Sequence, residues 1–109
     1  MSGGVHLTLD AALAQLAPER RQVTLFEDGG DATVELFQPR GYDGQGTHDR
    51  DEFYLIAAGR GRFTCGDETR EVGPGDMLQV PAHVAHRFDH FDPGFAAWVI
   101  YYGPRRPAP

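Results

Sequence analysis

The chain has 109 residues, 40% of them apolar and 24% charged, the balance of a single globular domain and unlike that of a disordered or fibrous chain. Its formal charge is −6 and all ten basic residues are arginine, so it offers neither the basic stripe that phosphate backbones need nor a lysine for Schiff-base chemistry. Its longest apolar run, from Phe95 to Tyr102, falls far short of the ~20 residues that cross a bilayer, and a single cysteine, Cys65, excludes an internal disulfide. Nucleic acid and membrane are therefore not expected partners. With no basic-then-apolar leader at the start, a cytoplasmic location is expected.

In chain order, Leu9, Leu13 and Leu16 fall at i, i+4, i+7, with Thr8 or Asp10 available as N-cap and Pro18 beyond. This spacing predicts one short amphipathic helix that docks by its leucines. From Gln22 onward, short apolar or alternating runs are separated by Gly, Pro and Asp clusters. Strands are predicted from Gln22 to Phe26, Thr33 to Gln38, Glu52 to Ala58, Gly61 to Cys65, Thr69 to Val72, Met77 to Val80, His86 to Phe91 and Phe95 to Tyr102. Asp28-Gly29-Gly30-Asp31 is a hairpin signal, and a loose polar stretch from Arg40 to Gly46 leads to His48. The expected organisation is a helical segment over 1–21 packed on a barrel over 22–104, with a flexible tail over 105–109. So many short strands with tight turns leave two architectures, an immunoglobulin-like sandwich or a double-sheet jelly roll.

The histidines separate them. Four of the five are His48, His83, His86 and His90, and Glu52 follows His48 by four residues. On one straight strand His48 and Glu52 would stand ~13 Å apart, too far for one ion. The polar Asp49-Arg50-Asp51 supplies a turn, so that His48 is expected to end one strand and Glu52 to open its antiparallel neighbour. His86 follows the stiff corner Pro81-Ala82-His83-Val84-Ala85. Two imidazoles and a carboxylate on adjoining strands resemble the 2-His-1-carboxylate set, which leaves ligand positions open.

On these residues the chain resembles a small single-domain cupin. His48, Glu52 and Gly59 match the second His, the Glu and the closing Gly of the first cupin motif, G-x5-H-x-H-x3-4-E-x6-G. Gly75, Pro81 and His86 match the second, G-x5-P-x-G-x2-H-x3-N. The match runs from about residue 40 to residue 90, and the strand pattern carries it to Tyr102. Gly46 stands where the motif has its first His, His83 where it has a Gly, and His90 where it has an Asn. The resemblance implies an all-β jelly-roll barrel with a short N-terminal helix outside. It also implies a divalent ion (Fe, Mn, Ni or Zn) held by His48, Glu52 and His86. A small molecule would bind inside the barrel, with dioxygenase- or isomerase-type chemistry open to it. The alternative is a metal-free cupin that binds a sugar or organic acid without catalysis.

The remaining residues have plainer expected roles. Tyr54 and Ile56 share the parity of Glu52 and should face the interior, Tyr54 as core or as a group supporting the ligands. His83 suits a left-handed turn, and His90 the pocket wall or the surface. His6 and the run Asp49-Arg50-Asp51 read as solvated, unless the turn borders the pocket mouth, where Arg50 would steer an anion. Arg60 and Arg62 are expected on the surface, and Cys65 is expected to be structural. Phe88, Trp98, Tyr101 and Tyr102 are expected to wall the barrel or an interface. Cupins of this kind pair through sheet edges, so a homodimer burying the aromatic last strand is expected.

Overall fold

The computed structural model describes residues 3–44 and 46–108. Gln45 of the polar stretch and Pro109 of the tail lie outside the described residues. A five-residue helix, α1 (Leu9–Leu13), precedes eight strands among the described residues: β1 (Gln22–Glu27), β2 (Thr33–Phe37), β3 (Asp51–Ala58), β4 (Gly61–Cys65), β5 (Glu68–Val72), β6 (Met77–Val80), β7 (His86–Asp89) and β8 (Ala96–Tyr102). They form two antiparallel sheets, one ordered β1-β2-β8-β3-β6 and the other β5-β4-β7. This is the double-sheet all-β barrel, and no helix among the described residues is long and apolar enough to cross a membrane.

Strand alternation sorts the side chains. Along β3, Glu52, Tyr54 and Ile56 are fully buried between the sheets, beside Phe63 of β4, Phe88 of β7 and Val99 of β8. Tyr54 meets Phe63 and Phe88 edge-on at 5.8 and 5.0 Å between ring centroids, the arrangement aromatic quadrupoles favour. Each such buried ring contributes roughly 1.5–3 kcal/mol of hydrophobic stabilisation. The opposite face of the larger sheet would leave Leu36, Ala96 and Trp98 in water. The helix covers them: Thr8 Oγ1 caps it by accepting from Ala11 N at 3.2 Å, and Leu9, Leu13 and Leu16 close over this second cluster. Trp98 therefore lies under the helix rather than inside the barrel.

Two expectations about surfaces are corrected. Strand β8 is paired on both sides, by β2 and β3, so the last strand offers no free edge for a second copy. Arg62 is only half-exposed and forks onto Asp89, with Nε and Nη2 at 2.7 and 3.1 Å from its two oxygens. Arg60 is exposed as expected.

The closing glycine of the first motif has a steric reason. Gly59 turns β3 into β4 at φ 76°, and a Cβ there would stand 2.8 Å from Phe95 Cα and 3.1 Å from Phe95 N. Backbone cannot yield as a side-chain tip does. Gly59→Ala is expected to cost about 2–4 kcal/mol, strain and overlap together. Gly75→Ala, also at positive φ (90°) but with nothing within 4 Å of the added Cβ, carries the strain alone and should cost about 1 kcal/mol. Thermal melts of the two variants check this; equal losses would refute the steric account.

Candidate metal centre

Three segments bring the cluster together. Glu52 is the second residue of β3, set between Val80 of β6 and Tyr101 of β8, with its side chain inside the barrel at 0% exposure. His86 opens β7 after the 81–85 corner, its side chain also at 0%. His48 does not end a strand, which corrects the expected hairpin. β2 stops at Phe37, and His48 lies in irregular chain that bends at Asp49 and Arg50 before β3 begins. The run from His48 to Arg50 is too polar to extend a barrel strand, and β3 begins only at Asp51, paired with Tyr102. The bend still folds His48 back over Glu52, as the ligand distance demands.

His48 Nε2 lies 2.7 Å and His86 Nε2 2.9 Å from the same oxygen, Glu52 Oε1, and the two imidazoles meet edge-on at 4.9 Å between centroids. Each ring is oriented from behind. Its Nδ1 faces a backbone carbonyl, that of Arg50 at 3.2 Å for His48 and that of Val84 at 2.8 Å for His86. A carbonyl only accepts, so Nδ1 carries the proton and the neutral ring turns a bare Nε2 lone pair inward. Both Nε2 atoms and both Glu52 oxygens are buried without a hydrogen bond of proper geometry among the described residues. The contacts are short, but they are contacts of charge and lone pair, not aligned hydrogen bonds. Two nitrogen lone pairs and a carboxylate within 3 Å repel unless something positive lies among them. A proton or a metal ion meets that need.

The proton version follows from the groups that surround each member of the cluster. Burial alone would raise Glu52, but the close His48 and His86 imidazoles outweigh it and hold the carboxyl below its ordinary value. Burial would likewise lower His86, but Glu52, with help from the Val84 carbonyl and Asp43, holds it above. Metal geometry fits equally well: one ligand atom from each of the three residues lies within 4.8 Å of the others. Ions with bonds of about 2.1 Å close such a span with side-chain shifts under about 1 Å. The donor set, two imidazoles and one carboxylate, suits Fe, Mn, Ni or Zn.

Only His48 of the three reaches solvent, its side chain 23% exposed. It forms part of the wall of a cavity of about 190 Å³ with Thr33, Glu35, Arg50, Tyr101 and Arg105. A larger cavity of about 460 Å³, lined by Phe63, Cys65, Leu78 and Val84 among others, touches none of the three cluster residues. The smaller one is thus the approach to the cluster. Tyr101 stands edge-on to His48 at 5.2 Å. Burial, then Glu52 and Glu35, holds its phenol well above the ordinary range, so it keeps its proton. Arg50 lies over the Tyr101 ring at 5.9 Å, donates to Thr33 Oγ1 at 3.1 Å and also bonds the Asp31 carbonyl.

The other singled-out residues fall as follows. Tyr54 packs with its ring 6.0 Å from His86, behind the cluster. His83 is the left-handed turn residue expected, at φ 69°, and its amide donates to the His48 carbonyl at 2.8 Å. His90 follows the end of β7, exposed, at φ 49°. Burial raises the Cys65 thiol, in keeping with a structural role. Asp51 corrects the solvated reading of its turn. It is 8% exposed and accepts from Ala82 N at 2.9 Å and Arg106 Nε at 2.9 Å. The first of these bonds, with Arg106 adding to it, holds its carboxyl below the usual range. Sequence reasoning missed Arg105 and Arg106, and a Pro-rich end carries no pattern that points to them.

A two-sheet barrel with an imidazole–carboxylate cluster beneath a small cavity defines a class of proteins that enclose small molecules or ions between β-sheets. Residues 33–100 match the Cupin domain family, and the chain belongs to it. It is 39% identical over 62 residues to an uncharacterised protein of Streptomyces coelicolor, a stretch that is 57% of this chain and 59% of that one. Among solved structures it is similar to the DMSP lyase DddQ of Ruegeria pomeroyi, with TM-score 0.67 and 27% identity over 94% of this chain and 57% of that one. It is also similar to a putative mannose-6-phosphate isomerase of Ralstonia eutropha, with TM-score 0.68 and 25% identity over 93% of this chain and all of that one. The chain thus spans less than two thirds of the Streptomyces protein and of the lyase.

Proposed function

We propose that this cupin holds one divalent metal ion on His48, Glu52 and His86 and presents it to a small molecule in the cavity beside His48. One observation carries the reading: two Nε2 lone pairs, each fixed by a carbonyl behind its ring, converge on a single buried carboxylate oxygen. Such backing carbonyls set the tautomer of imidazole ligands and raise their basicity. An ion there would act as a Lewis acid on an oxygen of the bound molecule. The chain's own residues do the rest. Glu52 and His86 are dry and fixed, His48 separates them from the cavity, and Tyr101 offers a protonated phenol in the wall. At about 190 Å³ the cavity lies below the range of drug-sized pockets, so the ligand is small. Structural relatives named as a lyase and as a putative isomerase support small-molecule chemistry.

The test is elemental analysis of the full chain purified without an affinity tag, followed by titration with Mn(II) and Zn(II). The expected result is about one ion per chain, with affinity at least about tenfold weaker in His86→Ala. Metal content unchanged by that substitution overturns the assignment. A thermal shift with small carboxylates or sugars in metal-free protein would instead favour metal-independent binding.

A further inference from the structure

The tail from residue 105 was expected to be flexible, yet Arg105 and Arg106 cross both loops that build the cluster. Arg106 N donates to the Asp49 carbonyl at 2.7 Å, and Arg105 Nη1 pairs with Asp49 Oδ1 at 2.8 Å. Arg106 Nε donates to Asp51 Oδ2 at 2.9 Å, and the Arg106 carbonyl accepts from His83 Nε2 at 2.9 Å. Residue 106 therefore touches the segment that carries His48 on one side and the corner that carries His86 on the other. Those two are also joined beneath it, by His83 N to the His48 carbonyl and by Ala82 N to Asp51 Oδ1.

We infer that Arg106 is a positioning residue, a clasp that holds the His48 segment against the 81–85 corner and so fixes the separation of the two imidazoles across Glu52. The inference rests on the metal reading only for its consequence; the clasp itself is a property of the metal-free chain. Its magnitude decides where to look. The Arg106 side chain is more than half exposed, and exposed ion pairs contribute little, so global stability barely registers its loss. His48 is different. It lies outside every strand, and its position depends on these few bonds, so local opening there should respond strongly.

Arg106→Pro removes the guanidinium and the backbone donor together, while Arg106→Lys keeps the backbone bonds and one charged donor. In metal-free protein, exchange of the His83 amide is expected to speed up about tenfold in Arg106→Pro and to stay close to wild type in Arg106→Lys. Amides of β8 should keep their protection in both. In metal-loaded protein, Co(II) affinity should fall about tenfold in Arg106→Pro, with a changed visible spectrum that Arg106→Lys restores. His83 protection that is unchanged in Arg106→Pro, or lost to the same extent as that of β8, overturns the clasp. Should the wild-type chain take up no metal, the metal reading fails, while the exchange experiment still decides the clasp.

Discussion

Glu52→Gln is expected to abolish tight metal binding and, at a pH high enough to leave both imidazoles neutral, to make the metal-free protein more stable than the wild type. The two effects have one cause. In the wild type at that pH, Glu52 Oε1 faces two Nε2 atoms whose partners behind the rings are carbonyls, so acceptor faces acceptor in a dry site. Glutamine has the same shape, and its amide nitrogen set in the place of Oε1 has two hydrogens to donate to the two imidazoles. Replacing a repulsive contact by a hydrogen bond contributes about 1 kcal/mol, which for a domain of this size is roughly 4–8 °C in Tm. The neutral amide is also a far poorer metal ligand than a carboxylate, and a fall in affinity of about 100-fold or more is expected. Melting curves and metal titrations on the same preparations check both halves. A metal-free variant less stable than the wild type, with metal content untouched, would show the cluster to be an ordinary buried ion pair. A functional site that stabilises the chain when altered is the usual signature of strain kept for function.

Much of this was legible before the structure, for physical reasons that differ by residue. Gly61–Cys65 and Met77–Val80 coincide with the predicted strands because glycine and proline punctuation bounds them on both sides. Glu52, Tyr54 and Ile56 are read correctly as interior because a period of two leaves no choice once one face is buried. The cluster itself was legible from spacing, since a distance of ~13 Å along an extended chain made a bend obligatory. What spacing cannot give is the manner of bending. A hairpin and an irregular segment satisfy the same distance, and the difference lies in bonds between residues far apart in sequence, such as His83 to His48 and Arg106 to Asp51. The same limit hid the burial of Asp51 and the central place of β8. An aspartate among charged neighbours reads as solvated, and strand order within a sheet has no signature in local pattern.

The stabilisation conferred by metal should grow with pH, while the stability of the metal-free chain peaks on the acid side of neutral. Glu52 is held below its ordinary 4.5, so its contribution is present above that value and is lost as pH falls through its folded value. His86 is held above its ordinary 6.5, so its contribution is complete below 6.5 and is lost as pH rises through its folded value. Between the two ordinary values the protonated imidazole and the carboxylate support each other, and without metal the fold is favoured there. Metal needs the imidazoles unprotonated and competes with that same proton, so its affinity climbs where the proton's contribution fades. At a hundredfold excess of metal over Kd the linkage term is about 2.7 kcal/mol, roughly 10 °C or more in Tm for a domain of this size. The gap in Tm between loaded and metal-stripped protein should therefore be small at pH 5.5 and approach that figure at pH 8. In His86→Ala, with affinity at least about tenfold weaker, the gap at pH 8 should fall to about half or less. Melting curves at four or five pH values decide the matter, and a gap of constant size across them would mean that no imidazole proton is displaced when the ion binds.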